Sequence, residues 1–168
     1  MPKKKSTIST NKPENLNRGQ APDTNDGAAG QNCNCADKTT CPLNNNCKVD
    51  KVIYRAKVKS EGVAIFYIGS TIRTFKKRYG EHKHAINNEG AEGTRLSEHV
   101  WDLKNSNKKF NITWEILERT RSAVPGRICS LCNLERIHIA LADQDTLINK
   151  RSELVGKCVH FPKFYYYN

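Results

Sequence analysis

Arg78 and His82 stand four residues apart in "FKKRYGEH", a spacing that places both on one helix face, one turn from each other. A guanidinium grips a phosphate through two parallel hydrogen bonds, and an imidazole accepts or delivers a proton near neutral pH. The pair therefore has the parts for phosphate-ester chemistry, although a solvated basic helix face is the plainer reading of the spacing alone. Arg73, Lys76, Lys77 and Lys83 lie around it and add candidate contacts to a phosphate backbone. Upstream, Tyr54 and Tyr67 each end a short apolar run, "VIY" and "YIG". A strand tyrosine is ordinarily a packing residue, while Gly69 behind Tyr67 permits a close approach. Glu135 interrupts the apolar stripe of "CSLCNLERIHIALA", either as a surface charge or as a carboxylate aimed inward at a cation.

The seven cysteines fall into two groups. Cys33, Cys35, Cys41 and Cys47 give C-x-C-x5-C-x5-C within a segment too short for a core of its own, which a bound zinc would order. Cys129 and Cys132 open the stretch that carries Glu135, and Cys158 with His160 closes a C-x2-C…C-x-H set. Four and four ligands use every cysteine and point to two structural zinc sites; buried free thiols are the alternative.

These groups need a scaffold, and the chain supplies one of modest size. Its 168 residues carry a formal charge of +11. Residues 48–168 hold 22 Lys and Arg against 13 Asp and Glu, so the charge belongs to the body and favours a polyanionic partner, most often nucleic acid. No apolar run reaches the length of a membrane span, and the start carries no apolar signal segment. The expectation is a protein that is not secreted, cytoplasmic or, through Pro2-Lys3-Lys4-Lys5, nuclear. Residues 1–31 are poor in apolar side chains and are expected to be disordered. The cysteine cluster at 32–48 follows, then one domain at 49–160 and a short tail at 161–168.

Within that domain Val52, Tyr54, Ala56 and Val58 alternate as one face of a strand. Lys59–Gly62 predicts a turn into a second strand, "VAIFYIG". Helices are expected from Thr74 to about Asn87, over "TRLSEHVWDLK", and from Cys129. Ile112, Trp114 and Ile116 alternate in a third strand, Asn111–Glu118. The order β-β-α-α-β-α predicts an α+β fold, a small three-stranded antiparallel sheet with flanking helices.

The order of these motifs resembles the GIY-YIG nuclease domain across most of residues 50–150. Val52-Ile53-Tyr54 stands for the first motif and Tyr67-Ile68-Gly69 for the second, with twelve residues between the tyrosines. Arg78 matches the family's arginine, His82 its histidine or tyrosine, Glu135 its metal-binding glutamate and Asn149 its late asparagine. The resemblance implies phosphodiester hydrolysis with one divalent metal, Mg²⁺ or Mn²⁺, held by Glu135. Arg78 would meet the phosphate charge, Tyr54 assisted by His82 would activate water with its pKa depressed by Arg78 and metal, Tyr67 would orient a phosphate or water, and Asn149 would support. The flanking cysteines are similar to those of the endonuclease of Penelope-like retroelements, which implies a reverse transcriptase as partner, in cis or in trans. The competing expectation is a zinc-stabilised nucleic-acid-binding module that keeps the fold without turnover.

Overall fold

A computed structural model describes residues 32–120, 129–150, 152–155 and 158. The tail at 1–31, the break at Pro125-Gly126, His160 and residues 161–168 lie outside the described residues.

The first hairpin joins β1 (Val52–Ser60) to β2 (Val63–Thr71). The alternation at Val52, Tyr54, Ala56 and Val58 is borne out, since all four are buried on one face. The turn is tighter than expected. Pairing runs out to Ser60 and Val63, leaving only Glu61 and Gly62 to reverse the chain, at φ of 49° and 84°. Two consecutive positive φ values match the right-handed twist of the flanking strands, and Gly62 takes the second without steric cost.

The helix α1 (Phe75–Asn87) follows, then α2 (Arg95–Asn105), whose start is a capping box between Thr94 and Ser97. The third strand, β3 (Phe110–Arg119), pairs antiparallel with β1, so the sheet order is β2-β1-β3. Its register shifts beside Ile53 and Tyr54, a bulge next to the residue of greatest chemical interest. Helix α3 (Ser130–Leu141) begins one residue after Cys129, and a single turn, α4 (Ser152–Val155), comes last. The fold is α+β, a three-stranded antiparallel sheet flanked by helices, as the sequence predicts. No helix among the described residues is long and apolar enough to cross a membrane.

The sheet separates two apolar clusters. One gathers Val52, Tyr54, Ala56, Val58 and Tyr67 with Phe75, Leu96 and Val100, and Trp114 packs against it. The other gathers Ile53 and Ile68 with Leu131, Cys132 and Ile139 of α3. Strand β1 is central and contributes to both, which is why Ile53 and Tyr54, adjacent in sequence and opposite in direction, are each fully buried.

Candidate active site

The site is built across β2, one of the two edge strands. Tyr54 lies opposite Gly69 in the ladder, and its ring crosses over that glycine. A Cβ at Gly69 would stand 2.5 Å from the Tyr54 hydroxyl and 2.7 Å from Cζ, closer than any side chain tolerates. The glycine of "YIG" is therefore a steric requirement of the tyrosine of "VIY".

Helix α1 brings two partners to the phenol. Arg78 Nε donates to the Tyr54 oxygen at 2.9 Å, and the oxygen lies 2.8 Å from His82 Nε2. Arginine can only donate, so the Tyr54 oxygen accepts from Arg78, and with the imidazole proton on Nδ1 the phenol's own proton would go to His82 Nε2. That arrangement needs a neutral imidazole, and burial supplies it. His82 is 2% exposed, and desolvation, helped by the Arg78 charge, brings its pKa down to about 3. Phe75, Tyr67 and Trp114 surround the pair at ring-centroid distances of 5.2–6.0 Å.

Burial also dominates the phenol. Tyr54 is pushed up to about 12, although the Arg78 charge and hydrogen bond pull it down. The expectation that Arg78 depresses this pKa is correct in sign, but desolvation outweighs it. Tyr67 is raised further, again by burial first. Burial alone would lower the Arg78 pKa, yet the Tyr54 oxygen and Glu81 more than offset it, so the guanidinium is firmly cationic. Glu81 bonds Arg78 Nη1 at 2.9 Å and Arg73 Nη2 at 2.5 Å. Desolvation opposes the Glu81 charge, but the two arginines keep its pKa low.

Glu135 reaches the same edge from α3. Its Oε2 accepts from Ser70 Oγ at 2.8 Å. Burial raises its pKa, opposed by Ser70 and supported by the nearby Glu153 charge. The Glu135 carboxylate thus lies within electrostatic reach of both Tyr54 and Arg78. Asn149 closes the outer edge of β2. The backbone at Phe66 pairs with Thr146 and Ile148 at 2.8 and 2.9 Å. Two residues on, the Asn149 carboxamide takes over, accepting from Ile68 N and donating to Ile68 O, each at 2.8 Å. Its Nδ2 also donates to Glu153 at 2.7 Å.

Six sequence-predicted residues, Tyr54, Tyr67, Arg78, His82, Glu135 and Asn149, thus gather on and around β2. Lys77 and Lys83 are exposed on α1. Lys76 instead donates to Asn34 O and Oδ1 at 3.1 and 2.9 Å, and Arg73 is engaged by Glu81. Sequence reasoning missed Ser70, Glu81 and Glu153. Ser70 directly follows the "YIG" motif, and its alternation away from Gly69 onto the α3 face is the one signal that could have singled it out.

The sulfurs of Cys33, Cys35, Cys41 and Cys47 all lie within 4.8 Å of one another, with separations of 3.5–3.6 Å for three pairs. Tetrahedral zinc with bonds of about 2.3 Å sets sulfur–sulfur edges of about 3.8 Å, and a disulfide needs about 2.05 Å. The cluster fits a metal such as zinc. Burial pushes the Cys47 thiol up to about 12, so this sulfur would ionise at neutral pH only with a cation beside it. Cys129, Cys132 and Cys158 form a second such group, consistent with a metal whose fourth expected ligand, His160, lies outside the described residues.

No family model matches the chain, and neither a curated protein nor a solved structure matches it.

Proposed function

We propose that the chain is a metal-dependent endonuclease of the GIY-YIG type acting on DNA. The observation that carries this reading is the hydrogen-bonded series Arg78–Tyr54–His82 laid over Gly69, with Glu135 at the same strand edge.

Arg78 binds the scissile phosphate with donors beyond those given to Tyr54 and Glu81, and meets charge as it builds on the phosphoryl oxygens. The Tyr54 oxygen takes a proton from the attacking water as its own passes to His82 Nε2, whose low basicity in the free protein the negative charge of a bound phosphate must offset. Water oxygen bonds to phosphorus, one P–O ester bond breaks, and a phosphate monoester and an alcohol result. The aromatic surround keeps bulk water off the proton path. Glu135, held by Ser70, is the residue that would bind Mg²⁺ or Mn²⁺, which supplies charge stabilisation at the phosphate when bound. Tyr67 orients a phosphate or water, and Asn149 holds β2 in place. Lys77 and Lys83 extend the cationic face toward backbone phosphates, a contact that carries no base information. The cysteine groups are structural zinc sites, the Penelope-like resemblance makes a reverse transcriptase the natural partner, in cis or in trans, and Pro2-Lys3-Lys4-Lys5 favours the nucleus over the cytoplasm.

A non-catalytic nucleic-acid-binding module is the second reading. It is favoured by Tyr54 and His82 both being fully enclosed in the free protein. Plasmid nicking with Mg²⁺ or Mn²⁺ separates the two. The nuclease reading expects nicking that Glu135→Ala and Arg78→Ala each abolish; no nicking with any divalent metal, or variants that cut as well as the unsubstituted chain, leaves the binding module.

A further inference from the structure

Helix α1 starts badly by its own sequence. Its first four amides need partners from outside the helix ladder, yet Thr74 at the cap position makes no side-chain bond and the first turn has no acidic residue. Instead Lys76, Lys77 and Arg78 place three cations at the positive end of the helix dipole, where charge of that sign is unfavourable.

The cysteine segment makes up the deficit. Phe75 N donates to Val49 O and Lys76 N to Cys47 O, both at 2.7 Å, while Lys77 N and Arg78 N share Thr74 O at 3.0 and 3.3 Å. Lys76 Nζ is received by Asn34, between Cys33 and Cys35. Leu43 and Val49 are buried in the same cluster as Tyr54 and Phe75. Cys47 faces both ways: its sulfur belongs to the four-cysteine group and its carbonyl caps α1.

We propose that metal in the four-cysteine segment acts as the cap of α1, and through it holds Arg78 against Tyr54. Arg78 is the fourth residue of the helix, so any slackening of the first turn moves its guanidinium. Cys47 and Val49 are positioning residues, acting through α1. The consequence for strand cleavage rests on the nuclease reading; the coupling of metal to α1 does not.

Cys33→Ser removes a ligand that does not itself touch α1, and is made in the full chain with zinc present. Elemental analysis should show one zinc fewer per chain. Hydrogen exchange at the Phe75 and Lys76 amides should become about tenfold faster, with α2 changed less than about twofold, the size expected for loss of a cap. Adding Thr74→Asp to that variant supplies a side-chain acceptor for the Lys76 amide and should recover most of the protection there. The proposal is overturned if no zinc is bound, if α1 exchange is unmoved when zinc is lost, if α2 loses protection equally, or if Thr74→Asp restores nothing. Where the unsubstituted chain cuts DNA, single-turnover cleavage should fall and recover in parallel with α1 protection, and failure to do so overturns the link to Arg78. A chain that does not cut leaves the exchange result standing and counts against the nuclease reading alone.

Discussion

The enclosed neutral His82 should leave a signature in how stability depends on pH. In the unfolded chain its pKa is near the ordinary 6.5, whereas in the folded protein burial holds it at about 3. Between these values the unfolded state binds a proton that the native state does not, so this residue's contribution to stability is lost as pH falls from about 6.5 toward 3. Each pH unit well inside that window is worth about 1.4 kcal/mol. From pH 6 to pH 4 the loss from this one group is then roughly 2–3 kcal/mol. His82→Gln keeps an acceptor for Tyr54 and cannot titrate. Urea unfolding of both proteins at pH 6, 5 and 4 gives the comparison. Acid release of metal from the cysteines affects both alike and cancels in the difference. The stability of the unsubstituted chain should fall by roughly 2–3 kcal/mol more than that of the variant over this range. Parallel losses would refute the enclosed neutral imidazole and, with it, the direction assigned to the Tyr54 proton.

Gly69→Ala forces a methyl to within 2.5 Å of the Tyr54 hydroxyl; thermal melts should show a loss of about 1–3 kcal/mol, and nicking should disappear even where the variant is folded. Asn149→Ala removes both bonds to Ile68 and the one to Glu153, and should cost about 1–3 kcal/mol by urea unfolding, with exchange at the Ile68 amide rising most. Native mass spectrometry should find two zinc ions per chain; none would return both cysteine groups to packing.

Much of this was legible because it is periodic or local. The alternation at Val52–Val58 and Ile112–Ile116 reports burial on one sheet face, and the helices follow from apolar residues at helical spacing. The i, i+4 spacing of Arg78 and His82 placed both beside one phenol because α1 packs that face on Tyr54. What was not legible depends on contacts far apart in the chain. Nothing local marks Ser70 as the partner of Glu135, 65 residues away. Nothing marks Lys76, in a basic run, as bound to Asn34 and not free to meet DNA. Desolvation is equally non-local: Tyr54 is raised by an enclosure built from α1 and β3, so the sequence shows the Arg78 charge and hides the larger opposing effect. The capping of α1 by Cys47 and Val49 is carried by backbone carbonyls, which have no sequence signature.

The most direct test of the proposed chemistry is Tyr54→Phe, which keeps the ring in its enclosure and removes only the oxygen between Arg78 and His82. Single-turnover cleavage of plasmid DNA in Mn²⁺ should fall by about 100-fold or more, the scale of a lost proton-transfer group, with a stability loss of about 1–3 kcal/mol from the buried His82 Nε2 and Arg78 Nε left without their partner and the chain still folded at the assay temperature. Cleavage by Tyr54→Phe at the rate of the unsubstituted chain would contradict the account.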